Sequence, residues 1–281
     1  MAQVSFPVDL YNPGQVFASL GFLETAHALF GPAEGGFDWS NEGKPQFALS
    51  SGCPVNPVEA VLEFLAEADL ERLAPQGYSD DWERDGLLCR LTTFPAPASS
   101  LDGKALPLRL RRNDQWLDVT HWCDGSSRSS FKLFAGNQRS ADIASKMRDA
   151  LRELWKERRP DLTADPFGIT APLGGSSFKM DARKSWTTID AGYSPDDQKH
   201  DVEASPVVEL LAAVGLEHAR PEALEGGEVR YGVWRGLLPP PVARAALGGA
   251  RVGVPIRLFR FTLDKAGQNK VVTFAEEEAV V

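Results

Sequence analysis

The residues best suited to chemistry lie between 126 and 160, in SSRSSFKLFAGNQRSADIASKMRDALRELWKERRP. Arg148, Arg152, Lys156 and Arg159 recur at i, i+4, i+8 and i+11. On a helix they follow one side for roughly 16 Å at about 1.5 Å per residue, a stripe that can touch several phosphates. Ile143, Met147, Ala150, Leu151 and Leu154 fall on the opposite face. The pattern therefore also fits an ordinary amphipathic helix in which Asp149, Glu153 and Glu157 pair with bases at i+3 and i+4. Just upstream stand Lys132, Gly136, Asn137, Gln138 and Arg139. Gly136 permits close approach of backbone to a ligand, and N–H groups at a helix start attract anions. Asn137 and Gln138 can each read an adenine edge through two hydrogen bonds, while Arg139 can hold phosphate or guanine. The alternative is a loop leading into a helix that Asn137 or Ser140 simply caps. Lys179, Arg183 and Lys184, beside Trp186, form a second basic patch that can order on binding. Arg109, Arg111 and Arg112 form a third, on a predicted strand.

Carboxylates offer a different chemistry. Asp190, Asp196, Asp197, His200, Asp201 and Glu203 have the donor types that hold Mg²⁺ or Mn²⁺ for phosphodiester cleavage. The competing reading is a solvated turn whose acids are balanced by Lys199. The chain has no G-x-x-x-x-G-K-[ST], no G-x-S-x-G and no H-E-x-x-H, so the common enzyme signatures are missing and no cofactor is expected. His27 and His121 read as structural. Cys53, Cys89 and Cys123 are an odd, widely spaced set without a C-x-x-C pair, which argues against a disulfide framework and a four-cysteine zinc site.

These groups sit in a chain of 281 residues, 43% hydrophobic and 25% charged, the balance of a folded protein rather than a disordered or collagenous one. No apolar run approaches the ~18–20 residues that span a bilayer, and MAQVSFPVDL lacks the pattern of a signal peptide. A cytoplasmic protein is expected. Charge is segregated: residues 1–103 carry four Lys or Arg against fifteen Asp or Glu, whereas residues 104–184 carry sixteen against ten. An acidic chain of net charge −9 is no free-standing nucleic-acid binder of the histone type. Its basic segment still permits a local phosphate-facing surface within an assembly.

The elements that must position these residues follow from local signals. Residues 3–10 read as a strand, at a sheet edge because Pro7 cannot donate. Asn12-Pro13 and Asn56-Pro57 each supply a cap followed by proline at the first helical position. Gly31-Pro32 ends the first helix. The second carries Glu59 in a possible capping box and an apolar stripe running through Val58, Val61, Leu62, Leu65 and Leu73. A hairpin is expected at 37–39 and 46–49, then strands at 87–94, 106–112 and 116–122. A long helix over 140–159 is stopped by Pro160. Residues 160–204 look irregular, Ser205-Pro206 starts another helix, and 229–234, 254–263 and 271–275 read as strands. The mixture lacks a βαβ rhythm, so the expected fold is α+β, with mixed, mostly antiparallel strands and several packed helices. The expected organisation is an α+β region over 1–160, an irregular segment over 161–204 and a helix-plus-hairpin region over 205–281, within two domains or one.

Three blocks carry a family resemblance: FPVDLYNPGQVFASLGFLETAHALFG (6–31), FKLFAGNQRSADIASKMRDAL (131–151), and EASPVVELLAAVGLEHARP (203–221), the last followed by YGVWRGLLPPPVARAALGG (231–249). The chain resembles a CRISPR-associated protein of type I-G (formerly I-U) systems, a large-subunit-like component of the Cascade surveillance complex. The resemblance implies a non-enzymatic subunit in antiviral defence, partnered by other Cas proteins, CRISPR RNA and target DNA, with no membrane. It also implies help in finding the protospacer-adjacent motif and stabilising opened DNA, while guide pairing reads the sequence. On that footing Asn137, Gln138 and Arg139 would contact motif or backbone, and the helical stripe would track phosphates. A metal-dependent nuclease using the 190–203 carboxylates and a protein-only scaffold are the competing expectations.

Overall fold

The computed structural model describes residues 2–79, 88–96, 101–123, 131–173, 177–184, 203–266 and 269–279. Strand β1 (Ala2–Pro7) leads into helix α1 (Pro13–Phe30), which starts with Pro13 at its first turn and stops at Gly31, whose φ of 86° only glycine adopts easily. Asn12 does not cap α1. Its side chain is drawn away, donating to Asp181 Oδ1 at 2.9 Å and accepting from the Ala182 amide at 3.3 Å. Strands β2 (Ala33–Asp38) and β3 (Gln46–Ser51) form the expected hairpin, and β1 adds antiparallel to β3. The order β1-β3-β2 leaves β1 at the edge, where Pro7 belongs.

Helix α2 (Pro57–Glu67) is capped as the sequence suggests: Asn56 Oδ1 accepts from the amides of Val58 and Glu59. Glu59 does not complete the capping box, because its carboxylate faces Arg159 instead. The chain then turns extended at Ala68 (φ −63°, ψ 140°) and runs into β4 (Asp69–Pro75). Leu73 thus belongs to a strand and not to the α2 stripe. Its pairing with Cys89 in β5 (Leu88–Leu91) and the ladder to β6 (Leu108–Arg112) outweigh its fit to helical spacing. With β7 (Gln115–Val119) these make a sheet of order β5-β4-β6-β7, antiparallel except between β4 and β5.

Helix α3 (Ser140–Ala164) runs past the expected stop. Arg158 leaves helical geometry (φ −134°, ψ 30°) two residues before Pro160, and the chain re-enters helix beyond it. The segment expected to be irregular over 161–204 thus holds the end of α3 and the short antiparallel strands β8 (Ala171–Pro172) and β9 (Glu203–Ala204). Helix α4 (Pro206–His218) begins behind Ser205, which accepts from the Val208 amide. After β10 (Glu222–Ala223) and β11 (Glu228–Trp234) comes α5 (Pro240–Leu247), an element the sequence did not announce. Three successive prolines obscured a helix that starts with Pro240 at its first turn. Strands β12 (Ile256–Ala266), β13 (Asn269–Val272) and β14 (Glu276–Glu277) close the chain, with β11, β13 and β14 all antiparallel to β12.

The fold is α+β. Its centre is the pair α1 and α4, buried along nearly their whole length. They approach so closely that a Cβ on Gly21 would lie 2.0 Å from the Leu211 carbonyl oxygen. Phe17 of α1 meets Phe131 and Tyr231 edge-on, and the Tyr231 hydroxyl donates to the Leu10 carbonyl at 2.7 Å. Each such fully buried aromatic contributes about 1.5–3 kcal/mol. One hydrophobic core runs from Phe6 to Ala275, so residues 1–160 and 205–281 share it. None of the three cysteines forms a disulfide, and Cys53 and Cys123 are buried.

Candidate nucleic-acid interface

The segment leading into α3 is fixed from below. Phe131, Leu133 and Phe134 are buried, the Ala135 amide donates to Asn269 Oδ1 at 3.0 Å, and the Lys270 amide donates to the Leu133 carbonyl. Gly136 (φ 66°) then turns the chain. Arg139 takes the N-cap position but its side chain does not cap, and the Ser140 hydroxyl is spent on the Leu106 carbonyl at 2.7 Å. The positive end of α3 therefore carries no side-chain cap. It opens beside a surface cleft of about 710 Å³ lined by Tyr78, Asp102, Lys104, Asn137, Arg139 and Asp142.

Lys104 crosses this cleft, donating to the Gly136 carbonyl and to Asn137 Oδ1, each at 3.1 Å. Lys132 stands behind it, its Nζ 3.5 Å from Asp102 Oδ2 and 5.4 Å from the centre of the Phe134 ring. Lys104 and Arg139 thus face Asp102 and Asp142 around one opening, and Lys132 supports Asp102 from outside its lining. Gln138, half-buried, follows Asn137 in the same turn. Lys104 escaped the sequence reading because LDGK marked only a turn. The Asp102 Oδ1 bond to the Lys104 amide, which builds that turn, is what aims the lysine.

The basic stripe of α3 has the expected spacing, but its first half, Arg148 and Arg152, turns onto the end of α2. Arg152 Nε donates to the Ala66 carbonyl at 2.8 Å and Arg148 Nη1 to the Ala68 carbonyl at 3.4 Å, so both guanidinium groups meet the negative end of α2. Arg159 pairs with Glu59 at 2.9 Å and lies 4.5 Å above the Trp155 ring. Arg112 joins from β6, pairing with Glu63 and Glu67. Arg148 also pairs with Asp149, and Lys156 with Glu153. Of the four stripe residues, Lys156 and Arg159 keep exposed head groups. Much of the positive charge of 104–184 is thus set against the acids of 1–103.

The second basic patch sits on residues 177–184. Arg183 holds Asp181 through Nη2 at 2.6 Å and donates to the Phe167 carbonyl at 2.8 Å. Asp181 also accepts from Asn12 and from the Ser205 amide. Beneath it Glu209 is fully buried and accepts from the amides of Met180 and Asp181. Its carboxyl is pushed up to about 7, chiefly by burial and further by the Asp181 charge. Lys179 (φ 64°) and Lys184 are half-buried. Strand β13 bonds to both basic loops, through Lys270 to Leu133 and through Val272 to Lys179, and so brings their backbones side by side.

Arg109 of the third patch is held by Asp118 at 2.7 Å and lies 5.2 Å from the centre of the exposed Trp116 ring. His121 is buried, with Nδ1 3.5 Å from Glu217 Oε2. Burial lowers the tendency of this imidazole to protonate. The same burial works to raise Glu217, but the His121 ring and two hydrogen bonds from Thr120 win and hold it at about 2. Of the expected metal ligands, Asp190, Asp196, Asp197, His200 and Asp201 lie outside the described residues. Glu203 accepts from the Thr170 hydroxyl at 2.6 Å. Among the described residues no three His, Cys, Asp or Glu side chains gather as a metal site, and no helix is long and apolar enough to cross a membrane.

Fold and site together define an α+β protein with a cleft of mixed charge, Lys104 and Arg139 beside Asp102 and Asp142, at an uncapped helix start. Compared with protein-family models, curated proteins and solved structures, the chain matches none.

Proposed function

We propose that this chain is a non-catalytic subunit of a type I CRISPR RNA-guided surveillance (Cascade) complex of the type I-G kind. In this reading it acts in the cytoplasm in antiviral defence with other Cas proteins, and contacts the backbone of CRISPR RNA or target DNA. The observation that carries the reading is the convergence of Lys104, Asn137 and Arg139 on the uncapped start of α3. A phosphate seated there meets helix N–H groups, the Lys104 ammonium and the Arg139 guanidinium at once. Asn137 stands at the rim, where an amide can meet a base edge of a protospacer-adjacent motif. Lys156 and Arg159 on α3, with Lys179 and Lys184 beside β13, extend the contact.

The test is affinity purification of the tagged chain from its native host, with retained RNA sized and co-purified proteins identified. A uniform short RNA together with other Cas subunits supports the proposal, and a lone chain without nucleic acid overturns it. A direct measurement complements this: fluorescence anisotropy of labelled single-stranded RNA and DNA against the parent and Lys104→Ala/Arg139→Ala. Retained affinity in the double variant removes the cleft from the interface.

A further inference from the structure

Strand β12 changes character along its length. Near its start Arg257 and Arg260 are answered by Glu277 and Glu228, and on the neighbouring β11 Arg230 is answered by Glu222 and Glu278. Towards its end Lys265 stands directly opposite Lys270 of β13. Neither ammonium group forms an ion pair or a hydrogen bond among the described residues. The adjoining carboxylate, Asp264, belongs to the other face of the strand and accepts from the Lys265 amide at 2.7 Å. Like charges directly opposite each other destabilise a strand pair.

Backbone contacts keep the two lysines together. The Lys270 amide donates to the Leu133 carbonyl at 3.0 Å and the Val272 amide to the Lys179 carbonyl at 3.2 Å, both on the side of β13 away from β12. Lys270 therefore faces Lys265 in the narrow, non-hydrogen-bonded kind of antiparallel pair, with Cα atoms about 4.5 Å apart and side chains at their closest. The same bonds cover the outer edge of β13, so these lysines do not guard an open edge. The cation pair is held against its own repulsion, and a phosphate between the two ammonium groups turns that repulsion into attraction. The Ala135 amide also donates to Asn269 Oδ1 at 3.0 Å, which sets this end of the hairpin beside the turn at Gly136, whose carbonyl Lys104 holds.

We infer that Lys265 and Lys270 together receive a backbone phosphate of the single strand bound at the α3 cleft, so that the nucleic acid leaves the cleft along the β12–β13 hairpin. The choice of ligand rests on the nucleic-acid reading above, but the cation pair is a separate contact that shares no residue with the cleft lining. A phosphodiester chain carries a charge at every nucleotide and so engages both places at once. A basic protein segment is repelled from the pair.

The test is anisotropy of labelled single-stranded RNA, and of its DNA counterpart, against the full chain at several salt concentrations. Lys265→Gln/Lys270→Gln is expected to lower affinity about threefold and the slope of log K against log salt by about 0.7, the share of one phosphate of a single strand. Lys44→Gln/Arg251→Gln removes the same charge from exposed positions elsewhere and leaves both values unchanged. Lys265→Glu makes the repelling pair an attracting one, so it raises the Tm of the free chain while weakening RNA binding. Parent-like binding by the hairpin variant overturns the inference, as does an equal loss from Lys44→Gln/Arg251→Gln. Displacement of the RNA by polyglutamate at equal concentration overturns the choice of a phosphate ligand. Loss in the hairpin variant with none in Lys104→Ala/Arg139→Ala overturns the cleft instead, and a parent chain that binds neither RNA nor DNA overturns both.

Discussion

Arg152 of α3 donates its Nε–H to the carbonyl oxygen of Ala66 across 2.8 Å, closing the last turn of α2 with a guanidinium from another helix. A helix end needs acceptors satisfied and favours positive charge, and Arg152 with Arg148 supplies both. Arg152→Ala is expected to destabilise the fold by about 1–3 kcal/mol, because it strands a carbonyl and removes a charge-assisted bond. Lys156→Ala, which breaks only an exposed pair with Glu153, should stay within about 0.5 kcal/mol. Urea denaturation of both variants checks the contrast. Equal effects would mean that the stripe does not fasten α2.

At the α3 cleft, the prediction concerns salt as well as affinity. If Lys104 and Arg139 each neutralise one phosphate of a single strand, their joint removal lowers the slope of log K against log salt by about 1.4. The change should appear across unrelated sequences. Asn137→Ala should instead alter preference among sequences with little change in slope. Anisotropy titrations at several salt concentrations separate the two.

Glu209 sets a pH dependence. Its native carboxyl titrates at about 7 against an ordinary 4.5. Between those limits the native state keeps a proton that the unfolded chain has released. Stability from this group therefore falls as pH rises from about 4.5 to about 7, then levels. Glu209→Gln removes the dependence, so its advantage over the parent should grow through that window and hold constant above it. Denaturation midpoints at successive pH values read this directly. A pH-independent difference would show that Glu209 is ionised in the fold.

Gly21→Ala and Gly215→Ala each place a methyl group against backbone of the facing helix, 2.0 Å from the Leu211 oxygen and 2.1 Å from the Phe17 oxygen. Backbone cannot step aside as a side chain does, so α1 and α4 must separate. A loss of about 1–3 kcal/mol or more is expected in each, visible as a lowered Tm. Gly77→Ala, in open space on a surface turn at φ 78°, is a control for backbone strain alone.

Elements with strong punctuation were legible in the chain. Asn-Pro and Ser-Pro marked three helix starts, and Gly31-Pro32 marked a stop, because caps and prolines act within a few residues. Strand β4 was not legible: its residues follow α2 without a breaker, and only pairing with β5 and β6 decides their state. Helix α5 was hidden behind prolines. At the candidate site the spacing of Arg148, Arg152 and Arg159 was correct, but spacing says which residues share a side, not what lies across from it. That the opposing surface is the acidic side and carbonyl end of α2 is a tertiary fact. Lys104 was missed for the related reason that a turn residue gains its direction only from the turn.

The contact between Gly36 and the Gly236 carbonyl, with the bridges from Gly35 to Leu238 and from Phe37 to Arg235, joins β2 to the chain after β11. Tyr231 reaches back to Leu10 across 221 positions, and Arg244 to Glu24 across 220. During synthesis α1 emerges with β2 and β3 to pack against, but its face toward α4 stays uncovered until Pro206–His218 emerges. The core of the first half is thus complete only when the second half arrives, and contacts of such long sequence separation slow the folding of the whole.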